Sequence, residues 1–315
     1  MATGGVEVWR GGVNPWECDS MGHLNVRFYV ARASEGLAGL AAALGMPRAF
    51  TRESTATLQV REHHIRFVRE ARPDDALHMT AGVISIDECE AQVLLQLVHS
   101  GSGEVSAAVQ ARVAHVTPHE QTAFPWSGRI LERAEALKVD VPAALGPRSV
   151  QANGPPPSGN LARALDLGLP PVSSGAVRPQ DCDVFGRMDV EGFMGRISDG
   201  YAQWTSAGRR LAAAAQAQGG SKDGPRIGGA AVEIRLAYAA WPRAGDRIEM
   251  RSGLKAVTPR VQTVVHWLLD PVSGRPWAAA EHIFVALDLD ARKLVELPPE
   301  AVAAMQGAVV PGLTV

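Results

Sequence analysis

Two stretches of the chain carry apolar residues at the three- and four-residue spacing of a helix with one buried face. In the first, from about Asn25 to Leu44, these are Val30, Ala33, Leu37, Leu40, Ala41 and Leu44. In the second, from about Asp189 to Gln218, they are Val190, Met194, Ile197, Tyr201 and Trp204. Gly45 and Pro47 stop the first helix, because glycine takes the left-handed closing turn and proline cannot continue the ladder. A short extended segment precedes each helix (Glu7–Val13; Pro171–Val177). Strand-like runs follow the first at about Thr57–Val68, Ala76–Ile86, Gln92–His99 and Val105–Val116. Those after the second are about Ala230–Tyr238, Asp246–Lys255, Val261–Leu269 and Ala278–Leu287. Gly, Asp and Pro mark the turns, as in Arg72-Pro73-Asp74-Asp75, and Gly219-Gly220 reads as another turn. One long helix with several antiparallel strands predicts an α+β layer in each half, the sheet burying one face under the helix.

The shared order of elements reflects a duplication. Val13–Gly36 and Val177–Gly200 agree without a gap at nine of 24 positions, at a shift of 164. The matches are Val13/Val177, Pro15/Pro179, Cys18/Cys182, Asp19/Asp183, Gly22/Gly186, Val26/Val190, Arg32/Arg196, Ser34/Ser198 and Gly36/Gly200. Chance would give about one or two. Ser102-Gly103 and Ser273-Gly274 correspond at a shift of 171, so the repeat reaches the end of each half. The division expected is a first domain over 1–138, a linker rich in Pro, Gly and Ala over 139–170, and a second domain over 171–315. Leu161–Leu167 suits a short helix within that linker, whose length lets the halves pair face to face as a pseudo-dimer.

Composition narrows the partners. A length of 315 residues suits two domains, and a formal charge of −2 gives no reason to expect nucleic acid or an anionic membrane. Three scattered cysteines cannot form a disulfide framework, which points to a reducing, cytoplasmic setting. The start MATGGVEVWRGG has neither a basic region nor an apolar core, which argues against a secretory signal there. No run approaches the roughly 18 apolar residues of a membrane span.

The chemistry concentrates where each helix opens. Asp19-Ser20-Met21-Gly22-His23-Leu24-Asn25 sets a carboxylate, an imidazole and an amide just ahead of the first helix. Asn25 is a favourable N-cap, and the N–H groups beyond it attract a carbonyl acquiring negative charge. A carboxylate opposite can attack an acyl carbon or deprotonate water while those N–H groups hold the oxyanion. The plainer reading is helix capping, which Asp and Asn commonly perform.

The run from Trp16 to Tyr29, WECDSMGHLNVRFY, resembles the signature of hotdog-fold thioesterases of the 4-hydroxybenzoyl-CoA thioesterase type. In that family an Asp-x-x-Gly-His-x-Asn segment, closely followed by an aromatic residue, leads into a central helix wrapped by an antiparallel sheet. Two copies look like a tandem double hotdog, also seen in acyl-ACP thioesterases. The resemblance implies an acyl-CoA thioesterase releasing free acid and CoA, without metal or other cofactor. It implies Asp19 as nucleophile or general base, the Val26 N–H as carbonyl-polarising donor, and Asn25 and His23 orienting water or the loop. The second copy keeps Asp183, Gly186 and Val190 but has Arg187 and Asp189 where His23 and Asn25 stand. It reads as a weaker site or a supporting wall, with the acyl tunnel between the halves. The resemblance also allows a homo-oligomer of such double-hotdog chains.

Other clusters read as structural. Cys18 and Cys182 suit small buried positions better than nucleophiles. Glu35 and Asp199 suit i,i+3 ion pairs with Arg32 and Arg196. His63-His64, on opposite faces of a strand, read as solvent-facing or satisfied histidines rather than ligands. Arg61, Arg66, Arg69 and Arg72 read as a basic strand edge, suited to CoA phosphates or to blocking aggregation. Rival readings are an acyl-ACP thioesterase, an acyl-thioester hydratase or dehydratase, which would leave the thiol unreleased, and a non-catalytic acyl-CoA-binding module.

Overall fold

In the computed structural model, which describes residues 5–217, 227–288, 291 and 293–315, both halves follow one plan. The first holds β1 (Val6–Gly12), α1 (Val26–Ala43), β2 (Thr57–Phe67), β3 (Ala76–Ile86), β4 (Glu90–His99), β5 (Val105–Val116) and α2 (Gly128–Ala136). The connecting segment carries α3 (Leu161–Asp166). The second half holds β6 (Pro171–Ala176), α4 (Val190–Ala217), β7 (Ile227–Tyr238), β8 (Arg247–Val257), β9 (Val261–Leu269), β10 (Pro276–Asp288), β11 (Lys293–Leu294) and α5 (Pro299–Gln306). The periodicity anticipates the two long helices and the strands that follow them, but not α2, β11 or α5. Gln218 and Gly219-Gly220 lie outside the described residues.

All strand pairs are antiparallel, and one sheet runs β1-β3-β4-β5-β2-β7-β10-β9-β8-β6, with β11 on β10. The halves therefore join edge to edge through β2 and β7, with Ile65 opposite Ile234, rather than face to face. Each half on its own would leave its first post-helical strand as a bare edge, and pairing the two satisfies both rows of backbone groups. The arginines of β2 are correspondingly not at an edge. Arg66 is buried on Glu233 at 3.3 Å, and Arg61 lies 3.9 Å from Glu90.

α1 and α4 lie together on one face, tied by Arg27 and Glu191 at 3.0 Å, two positions related by the repeat. Val30, Leu37 and Leu40 from α1 and Phe193, Met194 and Ile197 from α4 join Ile65, Leu95, Ile234 and Leu236 in one core. The matched Gly36 and Gly200 let each helix press onto its sheet, since a Cβ there would strike Met79 or Met250.

The connecting segment crosses the other face over the β2–β7 seam. There the N–H groups of Arg148 (2.8 Å) and Ser149 (2.9 Å) donate to Glu233, and that of Asn153 donates to Glu62 at 2.6 Å. Arg235 donates to Glu62 and to the Pro155 carbonyl, both at 2.8 Å. His64 Nε2 lies 2.9 Å from Glu233, and His63 Nδ1 lies 2.9 Å from the Tyr238 hydroxyl. These histidines are buried and satisfied, not solvent-facing, and burial pushes His63 down to about 4. Among the described residues no helix is long and apolar enough to cross a membrane.

Candidate active site

The polar loop is built by its own side chains. Pro15–Glu17 form a single helical turn, and Cys18 then pairs with Leu24 across a tight reversal. Within it the Asp19 N–H donates to the His23 carbonyl at 2.8 Å. Asp19 Oδ1 accepts the N–H groups of Met21 (2.8 Å) and His23 (3.2 Å). Gly22 closes the turn at φ +76°, in the left-handed region that disfavours a side chain. Buried Glu17 accepts the Asn14 N–H at 2.9 Å and pairs with Arg32, fastening the loop to the helix.

The second loop repeats this framework. Asp181 accepts the Arg178 N–H at 3.2 Å and lies 3.5 Å from Arg196. The matched arginines therefore clamp loop to helix in both copies. Arg32 also makes the expected pair with Glu35 at 3.1 Å, whereas Arg196 serves Asp181 and the Ala176 carbonyl rather than the expected Asp199. Cys18 and Cys182 are half-buried, each donating to a loop carbonyl at 3.6 and 3.5 Å. Burial, then the neighbouring aspartates, push both thiols up, which leaves poor nucleophiles.

Asn25 caps α1. Its Oδ1 accepts the Arg27 N–H at 2.9 Å, while its carbonyl accepts that of Phe28 at 2.9 Å. The Val26 N–H has no hydrogen-bond partner among the described residues, which is the ordinary state of an amide at a helix start. Ser198 of α4 donates its hydroxyl to the same Asn25 oxygen at 3.1 Å, so the second half braces the first half's cap. Ser198 stands among the matched residues of the repeat, but its reach across the halves left no trace in sequence.

The decisive difference lies in the aspartates. Asp183 accepts Phe185 and Arg187 N–H groups on Oδ1, at 2.9 and 3.0 Å, as Asp19 does with its own loop. The Arg187 guanidinium then takes Oδ2 through Nη2 at 3.1 Å and Nε at 3.3 Å. Arg187 thus neutralises Asp183. In the first copy His23 instead sets its Nε2 3.1 Å from Glu70, and Asp19 Oδ2 accepts no hydrogen bond among the described residues. Asp189 accepts the Glu191 N–H at 3.3 Å. Burial, reinforced by Glu191 and Asp183, pushes its carboxyl above the ordinary value of 3.8.

Among the described residues, cavities open between the halves at both loops. Asp19, His23, Asn25 and Val26 share one of about 590 Å³ with Tyr29 and Phe67 of their own half, and with Ile197, Tyr201, His282 and Phe284 of the other. Asp183, Arg187, Asp189 and Val190 share one of about 310 Å³ with Glu35, Leu37 and Gln59 from the first half. Each loop therefore faces the opposite half's helix and sheet. The first arrangement combines an uncommitted carboxylate oxygen, a free helix-start amide and a mostly apolar chamber.

The thioesterase-like superfamily matches residues 13–144 and 177–305, one copy per half. The chain belongs to this superfamily. No curated protein matches it by sequence. Its fold is similar to that of an acyl-ACP thioesterase from Bacteroides thetaiotaomicron, at 13% identity and a TM-score of 0.60 over 87% of this chain and 96% of that one. It is also similar to the 12:0-ACP thioesterase from Umbellularia californica, at 9% identity and 0.63 over 88% and 92%. A protein assigned as an oleoyl thioesterase from Lactobacillus plantarum gives 0.65 at 11% identity over 90% and 97%. The two superfamily copies are accordingly tandem hotdog domains, joined as a pseudo-dimer.

Proposed function

We propose that this chain is an acyl-CoA thioesterase of the 4-hydroxybenzoyl-CoA type, working from the first-half loop. Water adds to the thioester carbonyl, the C–S bond breaks, and the thiol leaves with a proton as the free acid forms. Asp19 acts on the acyl carbon directly or takes the proton from the attacking water, and the Val26 N–H holds the developing oxyanion. Asn25 keeps that helix start in place, and His23 with Glu70 sets the loop.

The observation that carries this reading is the uncommitted oxygen of Asp19 beside the larger cavity, against an Asp183 whose two oxygens are both occupied. A carboxylate already holding a guanidinium is a poor nucleophile and a poor base. The second cavity is then a supporting wall. Acyl-ACP is the alternative carrier. Arg69 pairs with Glu104 and Arg72 with Glu70, which removes much of the basic surface expected for CoA phosphates.

Thiol release from acyl-CoA and acyl-ACP by the wild type, Asp19→Asn and Asp183→Asn tests the proposal. Asp19→Asn is expected to lower kcat by about a hundredfold or more, and Asp183→Asn to leave it within a few-fold. Loss of turnover in Asp183→Asn alone would overturn the assignment. Unimpaired acyl-CoA binding without turnover in the wild type would favour the non-catalytic module.

A further inference from the structure

The two halves differ at three buried positions that the repeat aligns. At the shift of 171, Ala81, Leu95 and Ala111 of the first sheet correspond to Ser252, His266 and His282 of the second. The strand registers agree, since Ala81 faces Leu95 as Ser252 faces His266, and Val93 faces Ala111 as Val264 faces His282. An all-apolar cluster in one copy is thus a polar one in the other, beneath α4.

Its members are linked. Ser252 Oγ and His266 Nδ1 lie 2.7 Å apart, and the rings of His266 and His282 meet edge to face at 4.8 Å. His282 is 3% exposed, and its Nε2 finds no hydrogen-bond partner among the described residues. It is also a wall residue of the 590 Å³ cavity that contains Asp19. Around it that wall is Phe284, Ile197 and Tyr201. Burial, with His266 adding to it, drives His282 well below its ordinary value, so the imidazole stays neutral. A neutral imidazole carries one donor and one acceptor, which suits an uncharged oxygen better than a carboxylate. A buried polar group left unpaired is costly, and such a group in a binding pocket selects ligands that satisfy it.

From this geometry we infer that His282 is a specificity-determining residue, selecting acyl groups that carry a hydroxyl or keto oxygen along the chain. At about 590 Å³ the cavity has room for an oxygenated chain. This inference rests on the thioesterase reading, and binding can test it separately.

The experiment pairs calorimetric binding of free acids with thiol-release kinetics on the matching thioesters. The acids are saturated, hydroxy and keto chains of equal length, with the oxygen moved stepwise from the carboxyl end. The wild type is expected to favour one oxygen position over the saturated chain by about tenfold. His282→Ala installs the residue that Ala111 supplies in the other half. It should erase that preference while binding the saturated chain at least as well. His282→Gln, which retains a donor and an acceptor, should keep part of it. No preference at any position, or a preference that survives His282→Ala, overturns the inference whether or not the chain hydrolyses thioesters. A preference lost in His282→Ala without any hydrolysis would uphold it and overturn the thioesterase reading.

Discussion

Asp19 and Asp183 occupy the same place in duplicated loops, and both accept two backbone N–H groups on Oδ1, so what separates them lies at Oδ2. A single exchange, His23 for Arg187, decides it. The imidazole reaches Glu70, whereas the longer guanidinium folds back onto its own loop's carboxylate and over the Phe185 ring at 5.0 Å. The Arg187 side chain is 6% exposed and that of Asp183 27%, so solvent screens the pair only in part. Removing one partner of such a pair leaves the other charge unsatisfied, at a cost below the full figure for deep burial. Arg187→Ala is therefore expected to destabilise the fold by about 2 kcal/mol while leaving first-loop turnover intact. Urea denaturation and initial rates on the same preparation check this, and a matching fall in turnover would contradict the division of labour between the loops.

The helix caps carry the same asymmetry one level up. Asn25 and Asp189 both receive the second amide of their helix, but only Asp189 brings a charge into a buried site. Its raised folded-state value means that protonation favours the native form. The stability it contributes is complete below 3.8 and lost as pH rises through the folded value, so at neutral pH the ionised carboxylate is a burden. Asp189→Asn should accordingly raise the melting temperature at pH 7, with the gain vanishing as pH falls below that window. Thermal melts of both proteins across pH measure it, and equal gains at all pH values would mean the charge is not the cause. The long helices and paired strands were legible because their hydrophobic periods are strict, and the loop was legible because duplication preserved it beside an exact cap. Cross-half contacts were not. The arginines of β2 look like a solvated edge in sequence, yet Arg66 is buried with its Nη1 on Glu233, 167 residues away. Nor does His282 announce a cavity, since it is the one histidine of its strand.

At the scale of the molecule, the seam between β2 and β7 is held by carboxylates that serve three segments at once. Glu233 has no exposed surface, lies within hydrogen-bonding distance of His64 and Arg66, and accepts the Arg148 and Ser149 N–H groups of the connecting segment. Burial alone would raise its carboxyl, but the bonds from His64 and the two amides outweigh that and hold it below the ordinary 4.5. The stabilisation is thus complete above 4.5 and lost as pH falls through the lower folded value. Because the same side chain pins the sheet seam and the connecting segment, and because the core runs through both halves, the chain is expected to unfold in one transition. Glu233→Gln keeps the shape but removes the charge from four donors, at an expected cost of about 3 kcal/mol. It should flatten the acid dependence of stability and expose the segment around Arg148-Ser149 to protease before either half opens. Unchanged denaturation midpoints with a protected segment would mean that strand pairing and the shared core hold the halves together without it. Both cavities lie between the halves, so a loosened seam should also weaken acyl binding at the first loop even though Glu233 lines neither chamber.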